Sequence, residues 1–406
     1  MKPIYFDNNA TTPVRAEVFE AMRPFLAPDG GFGNPSSLHT LGQQAHAAME
    51  SSREQVAALV GAADPAEIVF TSCGTEADNM AVIGAAFAHR DKGRHLITSA
   101  VEHHAVLHAC DYLEKEHGFA VTYLPVDRHG RVSPDDLRAA LRPDTLLVSI
   151  MTANNEIGTI EPIQELGELC RNAGVLFHTD AVQSAGKVPL DLKEWPVDLA
   201  ALSGHKLYGP KGIGALYIRR GVQLHALLHG GAHEKNRRAG TENVPGAVGL
   251  GVACHLALKE MATEEPRVRA LRDRLEQGLL ERVPCAYLNG HPAHRLGNTT
   301  NVSFDAVEGE SLVLALDQAG FTLRNEGLPG LEISTGSACA SGLLEPSHVL
   351  KAIGVPSDRI HGSVRFSLGH FNTDADIDAA LDIIPRAVDR LRSLSPIWED
   401  RQKAGV

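Results

Sequence analysis

The chain lacks the features of a membrane, secreted or nucleic-acid-binding protein. No run of uncharged apolar residues is long enough to span a bilayer, and the opening "MKPIYFDNNATTP" has no apolar core of a signal peptide. Basic residues are in the minority, with 38 Lys and Arg against 50 Asp and Glu. We therefore expect a cytoplasmic protein that acts on small molecules or other proteins, with no membrane and no direct nucleic-acid partner.

Cysteine is scarce, and its spacing forms no recognisable pair. Six cysteines in 406 residues include no C-x-x-C motif, so neither a disulfide framework nor a zinc site is predicted, and no metal is expected. Cys110, Cys170 and Cys254 lie in apolar helical patterns and are predicted to be buried. Cys339 differs, because "STGSACASG" surrounds it with small residues only, which suits a thiol that has to move.

Short apolar runs alternate with amphipathic stretches from about residue 65, in the order expected for parallel βαβ units. This pattern predicts an α/β fold with a mainly parallel sheet covered by helices, over residues 16–260. After Gly249 the pattern becomes mixed, which predicts a smaller α+β domain of residues 261–406 together with residues 1–15. A mobile loop with Cys339 is expected over about residues 321–342.

Two polar residues follow apolar strand-length runs. Asp180 ends "VLFHTD", and Lys206 follows "LAALSGH". Ligands of open α/β sheets bind beyond the carboxyl ends of strands, so both side chains would face one crevice if their strands are neighbours. A carboxylate beside a desolvated lysine is the arrangement that pyridoxal phosphate (PLP) needs. A surface lysine and a helix N-cap aspartate are the alternatives.

Other polar groups follow neighbouring strands. Gly74 and Thr75 in "FTSCGTEADN" open a helix, where free N–H groups and a hydroxyl can bind a phosphate, and Cys73 is interpreted as a packing residue. His103 in "SAVEHHAVL" could stack on a cofactor and shuttle protons, or merely begin a helix facing solvent. His104 points in another direction, so the two histidines are not expected to share a metal.

Two residue types suit the carboxylate of an amino-acid substrate. Asn155 follows a buried strand in "TANNEIGT", where its amide can bond a cofactor oxygen or a carboxylate. Arg365 stands among apolar residues in "VRFSLG" and needs a carboxylate partner. That partner is either the substrate or a structural Asp or Glu.

In combination, several segments resemble the cysteine desulfurases of the nitrogen-fixation and iron-sulfur-assembly types. The resemblance spans nearly the whole chain and is carried by "YFDNNATTP", "GNPSSLH", "FTSCGTEADN", "VEHHAVL", "ANNEIGT", "HTDAVQSAGKVP", "SGHKLYGPKG", "RRAGTEN", "GSACASG", "LEPSHVL" and "VRFSLG". It implies a class V aminotransferase of PLP fold type I, acting as a homodimer that converts L-cysteine to L-alanine. The sulfur would pass to a sulfur-acceptor protein, such as an iron-sulfur scaffold.

The resemblance also implies a role for each matching residue. Lys206 would bond the cofactor and move the substrate α-proton, and Cys339 would attack the substrate sulfur as a thiolate and become a persulfide. His103 matches the ring-stacking acid-base residue, and Arg365 with Asn155 matches the carboxylate clamp. The cofactor ring and phosphate would be held by Gly74, Thr75, Asn155, Asp180, Gln183, Ser203 and His205, with Thr241 reaching the phosphate of the partner subunit.

The chain departs from this family before the cysteine loop, where "FTLRNEGLPGLEI" makes it longer. The added residues either change the reach of the loop or form a tolerated surface loop. A selenocysteine lyase and a related aminotransferase are the alternative activities, although an aminotransferase needs no protein thiol. A non-catalytic binding protein is disfavoured by the presence of the full residue set, and "GPKGIG" lacks the Lys-Ser or Lys-Thr of a nucleotide loop.

Overall fold

We analysed a computed structural model of the chain, which describes residues 2–28, 30–323, 327–336 and 346–403. The strands are β1 (Ile4–Tyr5), β2 (Ile68–Thr71), β3 (His95–Ser99), β4 (Ala120–Leu124), β5 (Thr145–Ser149), β6 (Leu176–Asp180), β7 (Leu199–Ser203), β8 (Gly214–Ile218), β9 (Ala286–Asn289), β10 (Thr299–Phe304), β11 (Leu331–Glu332) and β12 (Ser363–Ser367). The helices are α1 (Ala16–Met22), α2 (Thr40–Val60), α3 (Gly74–His89), α4 (His104–His117), α5 (Pro134–Ala140), α6 (Ile163–Ala173), α7 (Val244–Arg282), α8 (Gly309–Asp317), α9 (Ala319–Thr322), α10 (His348–Ala352), α11 (Ser357–Ile360), α12 (Asp374–Arg392) and α13 (Pro396–Lys403).

The main sheet has seven strands in the order β2-β8-β7-β6-β5-β3-β4. Strands β7, β6, β5, β3 and β4 pair in parallel, and β8 runs antiparallel between β7 and β2. Both faces are covered, because alternate residues of one strand point into different apolar clusters. Ile68 and Phe70 join the cluster with α2 and α6, whereas Val69 joins the cluster with α3 and α4. The predicted α/β fold with a mainly parallel sheet is confirmed.

The carboxyl ends of three strands lie at the same end of the sheet. Strands β6 and β7 are adjacent and parallel, with Asp180 opposite Ala201, so the end of β6 lies beside the segment that follows β7. Strand β2 runs in the same direction, since it is antiparallel to β8 and β8 is antiparallel to β7. The start of α3, which follows β2, therefore lies at this end of the sheet as well.

A second sheet, β12-β10-β9, is antiparallel and has its own apolar cluster with α7, α8 and α12. Helix α7 is 39 residues long, contains Pro266, and passes from the first cluster to the second. Residue 260, the predicted domain boundary, lies inside this helix. Strand β1 pairs with β11, so part of the extra stretch 321–333 is a strand that binds the N-terminal segment.

Three cysteines behave as small apolar residues. Cys110, Cys170 and Cys254 are buried within the apolar clusters, as predicted from the sequence. Burial raises the pKa of the Cys110 and Cys170 thiols to about 12. These thiols therefore stay protonated at neutral pH.

Within the part of the chain that the structure describes, no helix combines the length and the apolar character needed to cross a bilayer.

Candidate active site

Lys206 ends a short 3-10 helix, Gly204–Lys206, that begins where β7 ends. Its Nζ donates to the carbonyl oxygens of Asn9 at 2.5 Å and Ala10 at 2.7 Å. The amine is thus half-buried and held by the N-terminal segment of the chain. It lies at the strand-end position predicted from the sequence rather than on the outer surface.

Asp180 is the last residue of β6 and is buried. Its Oδ1 accepts a hydrogen bond from the backbone N–H of Val182 at 2.8 Å, and the segment that follows is a turn, so Asp180 is not a helix N-cap. Burial raises the pKa of this carboxyl to about 6, against the opposing effects of the Val182 N–H and the Lys206 charge. A buried carboxylate with so little local compensation is ready to pair with a cation.

His103 is the N-cap residue of α4, and its Nδ1 accepts from the N–H of Ala105 at 3.1 Å. Burial, and next the charge of Lys206, lower the pKa of His103 to about 4. The ring is therefore neutral at pH 7 and carries its proton on Nε2. The ring centre of His104 lies 5.0 Å from that of His108 and 4.9 Å from that of His348. Within the described residues no group of three side chains could hold a metal ion.

Gly74 and Ser203 face each other at the start of α3. A Cβ added to Gly74 would lie 2.9 Å from Val182 Cγ2, 3.3 Å from Ser203 Cβ and 3.7 Å from Ser203 Oγ. Ser203 Oγ is buried and has no hydrogen-bond partner among the described residues. Thr75 follows in the first turn of α3 and is exposed. The cradle thus offers N–H groups and two hydroxyls to an anion.

His205 and Cys73 flank this cradle. His205 Nδ1 lies 3.2 Å from Thr11 Oγ1, and burial, followed by the charge of Lys206, lowers the pKa of His205 to about 4. Cys73 is the N-cap residue of α3, and its Sγ accepts from the N–H of Glu76 at 3.4 Å. Cys73 is thus partly buried and caps the helix, a structural role other than the core packing predicted from the sequence.

Gln183 and Asn155 meet the N-terminal segment near Lys206. Gln183 Nε2 donates to the carbonyl oxygen of Asn9 at 3.0 Å. The backbone carbonyl of Asn155 accepts from Asn9 Nδ2 at 3.1 Å and from Arg365 Nη1 at 3.0 Å. Asn9 therefore contacts Gln183, Asn155 and Lys206.

Arg365, in β12, is buried and has a carboxylate partner within the chain. Its Nη2 lies 2.6 Å from Asp7 Oδ1, so the structural partner considered from the sequence is present. Arg365 Nε is buried and has no hydrogen-bond partner among the described residues. The Nε–H group of the guanidinium is therefore unsatisfied within the described residues.

One predicted site residue, Thr241, is not brought into contact with the others. Thr241 is exposed on the segment before α7, where it lines a cavity with Thr71 and Ser72, and no described contact joins it to Lys206. Cys339 lies outside the described residues.

Asn9 and Lys187 are the participants that sequence reasoning missed. Asn9 Nδ2 donates to Thr299 Oγ1 at 2.9 Å, and the Asn9 carbonyl receives both Lys206 and Gln183. Lys187 Nζ donates to Gln183 Oε1 at 3.0 Å. Their segments, "YFDNNATTP" and "QSAGKVP", contributed to the resemblance, but no local pattern shows that these side chains meet the site.

The aminotransferase class-V family model matches residues 4–380, and the chain belongs to this family. Fold type I and PLP, which the family implies, are thus confirmed.

The resemblance to cysteine desulfurases is confirmed by named relatives. The chain is 55% identical to cysteine desulfurase IscS of Methanosarcina thermophila, over 98% of this chain and 94% of that protein. A solved NifS-like protein is 38% identical with a TM-score of 0.87, covering 96% of this chain and 100% of that one. The structure described as SspA in complex with cysteine is 37% identical with a TM-score of 0.77, over 91% and 100% of the two chains.

The residues present fit PLP. The unpartnered, buried Ser203 Oγ beside the space left by Gly74 suits the phosphate group. The buried Asp180 carboxyl suits a protonated pyridine nitrogen. The half-buried Lys206 amine, near both, suits the cofactor aldehyde.

Proposed function

We propose that this protein is a cysteine desulfurase that transfers the sulfur of L-cysteine to Cys339. The reaction balances as L-cysteine plus the Cys339 thiol giving L-alanine plus a Cys339 persulfide, so no external oxidant or reductant is needed. The observation that carries the proposal is that Asp180 and Lys206 lie at the carboxyl ends of the adjacent parallel strands β6 and β7, where the Lys206 charge acts on the buried Asp180 carboxyl, in a chain with desulfurase relatives.

The cofactor-binding residues have separate tasks in this proposal. PLP, when bound, supplies an electron sink for the bonds at the substrate α-carbon. Asp180 holds the proton on the ring nitrogen, since a buried carboxylate favours a cation beside it. Gly74, Thr75, Ser203 and His205 bind the phosphate, and Thr241 reaches that of the partner subunit. Gln183 and Asn155 bond the ring oxygen.

Proton movement is assigned to two side chains. Lys206 Nζ takes the α-proton of the substrate and returns a proton during alanine formation. His103 is neutral, with its proton on Nε2, so it can donate to a leaving or attacking group and take the proton back. The low pKa of His103 favours this donor form of the neutral ring over an imidazolium at neutral pH.

Substrate binding is assigned to Arg365 and Asn155. The Arg365 guanidinium would bind the L-cysteine carboxylate as a charged donor, and Asn155 would add its amide. Cys339 would then receive sulfur, and its small neighbours would allow the persulfide to reach an acceptor protein, such as an iron-sulfur scaffold.

The remaining proposals concern organisation. We propose a homodimer in the cytoplasm, with a large domain of residues 16–260 and a small domain of residues 1–15 and 261–406. Two separate apolar clusters support that division.

The deciding experiment is a single turnover of the PLP-loaded protein with L-cysteine and no added reductant. We expect alanine and one extra sulfur on the peptide with Cys339, both absent in Cys339→Ser. Cys285→Ser, which alters another cysteine that is not fully buried, serves as the matched control. Alanine without a Cys339 persulfide would indicate a lyase that releases sulfur directly, and no alanine would overturn the substrate assignment.

A further inference from the structure

Three hydrogen bonds connect Lys187 to the proposed cofactor lysine. Lys187 Nζ donates to Gln183 Oε1 at 3.0 Å, and Gln183 Nε2 donates to the Asn9 carbonyl at 3.0 Å. Lys206 Nζ donates to the same carbonyl at 2.5 Å. Gln183 thus stands between two lysines, and only Lys206 belongs to the set predicted from the sequence.

These partners determine which way the Gln183 amide points. A lysine ammonium only donates hydrogen bonds and a backbone carbonyl only accepts them. The reversed amide would set its NH₂ group against the Lys187 ammonium and its oxygen against the Asn9 carbonyl. Lys187 therefore directs the Gln183 donor toward Asn9 and Lys206.

The position of Lys187 is costly for a lysine. It lies at the end of the turn after β6 and lines a cavity that Lys206, Asn8, Gly186 and Leu207 also line. Burial, and then the charges of Lys206 and Arg365, lower the pKa of Lys187 to about 7. A lysine that serves only solubility extends into water, whereas the partly buried Lys187 donates to an amide oxygen beside the site.

We propose that Lys187 is a positioning residue that orients Gln183 toward the cofactor ring. This inference rests on the proposed function, in which Gln183 bonds the ring oxygen of PLP. Lys187 acts through Gln183 and does not touch the cofactor. Without the Lys187 donor, the amide loses one of the two contacts that select its orientation, and its bond to the ring oxygen weakens.

The test compares Lys187→Met, Lys187→Arg, Gln183→Ala and the Lys187→Met/Gln183→Ala double variant. Two properties are measured at a single pH below 7, where the Lys187 amine is an ammonium, namely the affinity of each apoprotein for PLP and the shape of the visible absorbance band of bound PLP. We expect Lys187→Met to weaken PLP binding about tenfold and to shift the band as Gln183→Ala does. The double variant should match Gln183→Ala, and Lys187→Arg should remain within about twofold of the parent protein.

Each other outcome is decisive. A parent-like Lys187→Met with an altered Gln183→Ala overturns the inference and leaves the proposed function standing. A parent-like Gln183→Ala overturns the inference together with the assignment of Gln183 to the cofactor. Additive effects in the double variant show that Lys187 acts independently, which also overturns it. Thermal melting of the apoproteins checks folding, and Lys187→Ala repeats the test should Lys187→Met not fold.

Discussion

Arg365 and Asp7 form an ion pair at 2.6 Å that joins β12 to the N-terminal segment, with side-chain exposures of 3% and 19%. The Asn155 carbonyl takes a second N–H of the same guanidinium at 3.0 Å. The arginine is therefore held in place from two sides before any substrate arrives. Such preorganisation lowers the entropy cost of binding a carboxylate.

The first prediction concerns this arginine. Arg365→Lys keeps the charge but loses the planar pair of donors, so KM for L-cysteine should rise at least about tenfold, with a smaller change in kcat. Steady-state kinetics of alanine formation measure both constants. Arg274→Lys, at an arginine paired with Asp374 on the surface, is the matched control and should leave KM unchanged. An unchanged KM in Arg365→Lys would remove the arginine from the substrate site.

The second prediction concerns the phosphate cradle. In Gly74→Ala the new methyl group would enter the space between Val182 and Ser203, at 2.9 Å from Val182 Cγ2. PLP binding should weaken by more than about tenfold, because the phosphate loses room beside Ser203 Oγ. Titration of the apoprotein with PLP measures the effect. Thermal melting of the apoprotein checks that the variant folds. Tight PLP binding by the folded variant would place the phosphate elsewhere.

The third prediction concerns Asp180 and pH. In the apoprotein, burial raises the pKa of this carboxyl from 3.8 to about 6, so between these values the folded state binds more protons than the unfolded state. The contribution of Asp180 to stability therefore falls as pH rises through this window and is constant above about 6. Asp180→Asn lacks this titration, so its stability relative to the parent apoprotein should rise over the same window.

Denaturant unfolding of both apoproteins at several pH values measures that difference. A difference that does not change with pH would mean that Asp180 keeps an ordinary pKa. In the PLP-loaded protein the same substitution should lower the rate of alanine formation at least about a hundredfold, because the ring nitrogen loses its anionic partner.

The fourth prediction concerns stability away from the cofactor. Glu234 is buried and accepts two hydrogen bonds from Arg53, at 2.8 and 3.0 Å. Glu234, Lys235 and Asn236 have positive φ angles of 47°, 57° and 63°. This backbone conformation is strained for residues other than glycine. The ion pair thus anchors a strained segment.

Glu234→Gln should lower the free energy of unfolding by about 3 kcal/mol, because a buried guanidinium loses its charge partner. Glu50→Gln is the matched control, since Glu50 pairs with the same Arg53 at 3.1 Å but is 47% exposed. That change should cost less than about 1 kcal/mol. Equal losses in the two variants would show that burial of the pair does not decide its contribution.

The regular elements were accessible from the sequence because their signals are local. The parallel strands of the main sheet are short apolar runs between amphipathic helices. Asp180 ends β6 and Lys206 follows the end of β7 by three residues, which is why the sequence pattern pointed to both. Strands β1 and β11 were missed, since each has two residues and exists only because it pairs with the other. Their pairing partners are more than three hundred residues apart in the sequence, at Ile4 and Leu331.

The missing parts of the site share this property. Nothing near Asn9 indicates that its carbonyl will receive Lys206, and nothing near Arg365 indicates Asp7. Lys187 is close to Gln183 in sequence, but an i,i+4 pair in a turn predicts no hydrogen bond by itself. These contacts depend on how distant segments pack, which local periodicity does not encode.

The placement of Asn9 also sets an order of events during synthesis. Its backbone N–H bonds Ser367 Oγ at 2.9 Å, across 358 residues of chain, and its side chain bonds Thr299 and Asn298. Ser367, one of these partners, is synthesised 358 residues after Asn9. Asn9, whose carbonyl receives Lys206 Nζ, is therefore not fully paired until β12 has been synthesised.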